Sequence, residues 1–153
     1  MTGVLKQICA IISTADSRKE KARELAAAIQ AAGPYRWVGV YDVGIEFVTI
    51  LAYSGRSGPA NPQFPVSKGL TGSAIREKKT IVVGDVRSDP RYLTAFGDTL
   101  SEIIIPVLDE NTGNVVGTID VESERAGAFS CEDQAVLEAC ARVAHALWQL
   151  KRS

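Results

Sequence analysis

The chain has 153 residues, 46% of them hydrophobic and 23% charged, which suits one globular domain over residues 1–153 and leaves too little for a second. Seventeen Lys and Arg against 18 Asp and Glu leave a formal charge of −1, so no general electrostatic attraction to nucleic acid or to an anionic membrane is expected. No apolar run reaches membrane-spanning length, the N-terminus lacks a secretory signal, and three sparse cysteines form neither a disulfide framework nor a zinc cluster, which predicts a cytoplasmic protein with reduced thiols.

Val4, Leu5, Ile8, Ile11 and Ile12 recur at helical spacing and predict a short first helix. Ser17 and Glu20 have capping-box spacing, and Ala22, Leu25, Ala26 and Ile29 continue as an apolar stripe until Gly33-Pro34 ends a second helix. From Tyr35 to Tyr53 the composition turns to Val, Ile, Tyr and Trp, with Asp42-Val43-Gly44 between two strands of a β-hairpin. Ser54 to Pro62 reads as a loop, Phe64 to Val66 and Thr80 to Val83 as short strands, and Gly69 to Glu77 as a short helix between them. A second hairpin pairs Ser101–Val107 with Val116–Ser123 across the turn residues Asp109 to Asn114. Ser130 caps a final helix, with Asp133 three residues on and a seam of Val136, Cys140, Val143, Leu147 and Leu150. This order predicts an α+β sheet covered on one face by the terminal helices.

Asp120 and Glu122 are two apart on a strand and therefore share a face, and the hairpin brings Glu102 towards them. Such a cluster is either an exposed acidic sheet edge or a pocket that binds an ammonium through charge-assisted hydrogen bonds. Thr71 and Ser73 follow Gly69 at a helix start, where they either cap the helix or help hold an anionic group. Trp37 and Tyr41 lie on one face of the first strand as core or as aromatic pocket wall, and Asp85 and Tyr92 fall in a loop around Pro90. Cys131, at a helix start, is the thiol expected to be reactive; Cys140 is over ~13 Å further along the same helix and cannot resolve a disulfide with it. His145 reads as structural or exposed. No motif calls for a cofactor or a metal.

Trp37-Val38-Gly39-Val40-Tyr41, Gly69-Leu70-Thr71-Gly72-Ser73-Ala74, Asp85-Val86 with Asp89-Pro90-Arg91-Tyr92, and the hairpin phrases Ser101–Val107 and Val116–Ser123 resemble, in order and spacing, the GAF family of small-molecule sensor domains. The resemblance implies a GAF/PAS-like antiparallel sheet of about six strands, with the terminal helices on one face and a ligand pocket on the other. Trp37, Glu102, Asp120 and Glu122 further resemble the free methionine-(R)-sulfoxide reductase branch, in which a tryptophan and three acidic residues surround a free amino acid. That branch uses cysteines in the segments matched here by Asn61 to Thr71 and by Ala95, whereas this chain has no cysteine between Cys9 and Cys131. The resulting expectation is a non-catalytic sensor for a small molecule, a free amino acid or small amine. Its ligand-binding residues would be Trp37, Tyr41, Thr71, Ser73, Asp85, Tyr92, Glu102, Asp120 and Glu122. The alternatives are a free methionine-(R)-sulfoxide reductase with an unusual thiol arrangement and a dimerisation module without a ligand. A homodimer through the terminal helices is expected, with packing of the seam against Leu5, Ile8 and Ile12 within one chain as its rival.

Overall fold

A computed structural model describes residues 3–93 and 97–149. Helix α1 (Gly3–Ile12) buries Ile8 and Ile11. Its end is closed by Lys21, whose Nζ donates to the Ile12 carbonyl at 3.0 Å. Ser17 caps α2 (Arg18–Ala31) by accepting from the Glu20 N–H at 3.2 Å. The Glu20 carboxylate pairs with Arg23 at 2.7 Å, so the expected box reduces to a simple N-cap.

Strands β1 (Trp37–Val43) and β2 (Phe47–Ser54) form the first hairpin. Its turn covers residues 44–46 and so overlaps the predicted Asp42-Val43-Gly44 only at Gly44, because Asp42 stays in β1 and its carboxylate takes both terminal guanidinium nitrogens of Arg18 at the start of α2. The hairpin closes with the Gly44 N–H donating to the Phe47 carbonyl at 2.9 Å. Next come β3 (Gln63–Pro65), α3 (Gly69–Glu77), β4 (Ile81–Val83), a 3-10 turn (Val86–Ser88), β5 (Ser101–Leu108), β6 (Val115–Ser123), α4 (Cys131–Val143) and α5 (Ala146–Gln149).

The strands build one six-stranded sheet in the order β3-β2-β1-β6-β5-β4, antiparallel at every pairing. Alternation along the strands sorts the two faces. Val38, Val40, Ile103, Ile105, Ile119 and Val121 meet α1, α2, α4 and α5 in the main core, with Ile8, Leu25, Ile29, Cys140 and Leu147. On the opposite face Ile104 packs with Leu70 and Ala74 of α3 and with Val83 and Val86. β6 sits between two strands with both faces covered, so even Thr118, Asp120 and Glu122 are buried. This is the layered arrangement expected from the element order. No helix among the described residues is long and apolar enough to cross a membrane.

The C-terminal segment departs from expectation. The single predicted helix divides after Val143, and the short α5 is pinned by two tertiary contacts. Trp148 Nε1 donates to the Tyr41 carbonyl at 3.2 Å, and the Leu147 carbonyl accepts from Arg18 Nε at 2.9 Å. The Trp148 ring lies directly on Gly117, where a Cβ would stand 1.9 Å from its Nε1. The buried stripe is Leu137, Cys140, Ala141, Ala144, Leu147 and Trp148, while Val136 and Val143 of the predicted seam are only partly covered and Leu150 lies outside the described residues. Leu147 is in its own chain's core, in the same cluster as Ile8, the packing given as the rival to a subunit interface.

Candidate functional site

The two central hairpins bring the acidic residues together through register. Glu102 of β5 lies opposite Glu122 of β6, Asp120 lies opposite Ile104, and on the other side β1 places Trp37 against Glu122 and Gly39 against Asp120. One carboxylate oxygen from each of Glu102, Asp120 and Glu122 lies within 4.8 Å of the others. All three side chains are buried, with exposures of 5%, 8% and 0%. Among the described residues, Asp120 Oδ1 and Glu122 Oε2 have no hydrogen-bond partner. Tyr92 donates from its hydroxyl to Glu122 Oε1 at 3.4 Å.

Glu102 and Asp120 form the floor of a pocket of about 410 Å³ counting its open mouth. Tyr41, Phe64, Leu70, Leu93 and Ile104 supply apolar wall, and Asn61, Lys68 and Thr71 supply polar groups. The enclosed space beside the two carboxylates is narrow, so the floor suits a small polar head rather than a bulky group. Gly69, at φ +69°, lets the loop after the 3-10 turn cross the start of α3: a Cβ there would sit 3.2 Å from the Leu93 Cβ.

Burial, reinforced by the neighbouring Asp120 and Glu122, holds the Glu102 carboxyl well above its ordinary range. Burial likewise pushes Asp120 up to about 6. It pushes Glu122 up to about 8, with the Asp120 charge adding to the rise and the hydroxyls of Thr99 and Tyr92 and the charge of Arg36 opposing it. Burial also raises the Tyr41 phenol, helped by the three acids, so Tyr41 stays a neutral wall. The cation that reaches Glu122 is committed elsewhere, since Arg36 pairs with Asp98 and with Glu124. A buried carboxylate set without a compensating cation is costly. An ammonium, with three donors and one positive charge, matches both the orphan oxygens and the charge deficit.

Not every residue singled out from the sequence reaches this pocket. Tyr41, Thr71, Glu102 and Asp120 line it, and Glu122 and Tyr92 stand behind the floor, linked to each other. Trp37 is buried beside it, wedged over Gly39 and Gly55, its Nε1 donating to the Ser57 carbonyl at 3.0 Å and its ring stacked on Tyr53. It acts as the support on which Tyr41 leans, with ring centroids 6.4 Å apart. Ser73 is buried on α3 and accepts from Arg76 at 3.2 Å. Asp85 caps the 3-10 turn and pairs with Arg87 at 2.8 Å on an outer surface groove, because the loop turns it away from the sheet. Phe64, Lys68, Leu93 and Ile104 were not anticipated. Ile104 was legible, being two residues from Glu102 on the same face. Lys68 and Leu93 depend on how the loop crosses Gly69, for which the sequence carries no periodic signal.

None of the described residues lining the pocket is a cysteine. Cys9 is on α1, Cys131 begins α4 on the surface, and Cys140 is buried among the helices, where burial pushes its thiol up to about 11.

The chain is similar to GAF domain-containing protein A of Dictyostelium discoideum, 28% identical over 135 residues that cover 88% of this chain and 83% of that protein. It is 32% identical over 110 residues to the free methionine-R-sulfoxide reductase of Saccharomyces cerevisiae, covering 70% of this chain and 59% of that enzyme. Among solved structures, the type II free methionine-R-sulfoxide reductase of Thermoplasma acidophilum superposes with a TM-score of 0.77 at 32% identity, over 86% of this chain and 95% of that one. The sequence model described as GAF domain matches residues 15–148, and the chain belongs to the GAF domain family.

Proposed function

We propose that this protein binds a small molecule through a primary ammonium group, a free amino acid being the class that fits, and that it does so without chemical turnover. The observation that carries the reading is the buried set of Glu102, Asp120 and Glu122, two of whose oxygens lack a partner among the described residues and whose charge Arg36, itself paired with Asp98 and Glu124, offsets only in part. Similarity to reductases that act on a free amino acid supports the ligand class. The absence of turnover rests on thiol chemistry: reduction of a sulfoxide by thiols needs an attacking thiolate beside the substrate and a partner to resolve it. Cys131, Cys140 and Cys9 are on helices away from the pocket lining.

Calorimetric titration with free amino acids, methionine and methionine-(R)-sulfoxide among them, tests the binding, and thioredoxin-coupled turnover of the sulfoxide tests the chemistry. Binding lost in Asp120→Asn without turnover in the wild type is the expected result. Turnover that disappears in Cys131→Ser would restore the enzymatic reading. Failure of every free amino acid to bind would leave a dimerisation module without a ligand.

A further inference from the structure

Three full negative charges cannot be buried together cheaply. One oxygen of each carboxylate lies within 4.8 Å of the others, a range at which like charges in the interior repel strongly, and one such pair, Glu102 and Glu122, faces directly across the β5–β6 ladder. The groups around the cluster offset its negative charge only in part: the Arg36 guanidinium acts on Glu122 while it also pairs with Asp98 and Glu124. Tyr41 faces it from β1, Tyr92 and Thr99 from the loop before β5, and Thr71 from α3, none of them a cation. Lys68, ahead of α3, is exposed at the pocket wall, and Arg36, ahead of β1, is paired with Asp98 and Glu124.

Resting on the ammonium-site reading above, we infer that before a ligand binds the cluster holds protons shared among Glu102, Asp120 and Glu122, and that an arriving ammonium expels one of them, making binding an exchange of a cation for a proton. The balance is simple. A carboxyl O–H bond breaks and its proton goes to solvent, while the ammonium keeps its three N–H bonds and donates them to the oxygens left behind. The net charge of the buried site is the same before and after, which is why the exchange avoids the cost of burying a new charge. The raised positions of Asp120 and Glu122, about 6 and about 8, place the exchange in the neutral range. Two consequences follow for the ligand: it is a cation with N–H donors, so an N-acetylated amino acid is excluded, and its affinity rises with pH while the cluster deprotonates.

The test is titration of the protein with methionine-(R)-sulfoxide, and with methylammonium as a minimal cation, at about pH 6.5 in phosphate and in Bis-Tris, a tertiary amine. These buffers differ in protonation enthalpy, so the difference in heat counts protons. About one proton released per ligand is expected, together with a Kd that falls up to about tenfold per pH unit below pH 7. Binding with equal heats in the two buffers overturns the exchange and leaves the ammonium site intact. If neither probe binds between about pH 6 and 9, the ammonium reading fails, and the proton is then decided without ligand. Carbon-13 titration of the side-chain carboxyls, assigned with Asp120→Asn and Glu122→Gln, is expected to show at least one carboxyl titrating above pH 6, and complete ionisation of all three below about pH 5 overturns the inference.

Discussion

Asp120→Asn keeps the shape of the side chain and removes its charge, which makes it the sharpest probe of the cluster. A carboxyl moved from 3.8 to about 6 by burial is protonated more readily in the folded than in the unfolded chain. Its contribution is therefore fully favourable below about pH 4 and is lost as pH rises through 6, amounting to about 3 kcal/mol at pH 8. Asparagine avoids that loss. Its amide has to be satisfied, and Glu102, whose own carboxyl is raised by Asp120, is the neighbour able to accept from it. The variant is thus expected to be more stable than wild type by about 1–3 kcal/mol near pH 8, with the advantage shrinking towards zero near pH 4.5. Urea unfolding at the two pH values measures this directly. An advantage that does not change with pH, or a variant less stable than wild type at pH 8, would refute the claim that Asp120 bears a buried and poorly compensated charge.

Gly117→Ala drives a methyl group into the indole of Trp148, 1.9 Å from its Nε1, so a loss of about 1–3 kcal/mol and a shift in tryptophan emission are expected in thermal unfolding followed by fluorescence. Leu147→Ala removes a fully buried side chain and should cost about 2–5 kcal/mol; a loss under 1 kcal/mol would mean that α5 does not pack as described. Arg18→Met severs α2 from both Asp42 and the Leu147 carbonyl, and about 1–3 kcal/mol should vanish from a chemical denaturation curve, with the double variant Arg18→Met/Asp42→Asn no worse than additive. Native titration with a thiol-reactive disulfide should label Cys131 quickly and leave Cys140 protected until the chain unfolds, as read by mass spectrometry; equal rates would place α4 away from the sheet. Light scattering across a concentration series tests the expected homodimer, for which the partly covered Val136 and Val143 are the surface to alter, since Leu147 is internal.

Much of the fold was legible because it is local. Ser17 and Ser130 cap the helices they were read to cap, and Gly69–Glu77 is a helix with the predicted bounds. The alternation in β5 and β6 placed Asp120 and Glu122 on one face, which is a property of the strand period and needs no tertiary contact. What the strand period leaves open is the partner strand and its register. Only the pairing of β6 with both β1 and β5 decided that Glu102 stands against Glu122, that both faces of β6 are covered, and that an acidic strand which reads equally well as an exposed edge is buried at a pocket floor. The same holds for the misplaced residues. Asp85 and Ser73 were carried by types that also satisfy a turn or a helix, and their local partners Arg87 and Arg76 claimed them. The break after Val143 has no breaker residue; it follows from the Trp148 indole reaching the Tyr41 carbonyl and from Arg18 reaching the Leu147 carbonyl, contacts spanning more than a hundred residues of sequence separation. Sequence alone determined the elements and which side chains share a face, because helix and strand periods act over a few residues. Tertiary structure decided charge compensation, burial and the pocket, because those depend on which distant strand and loop arrive beside each residue.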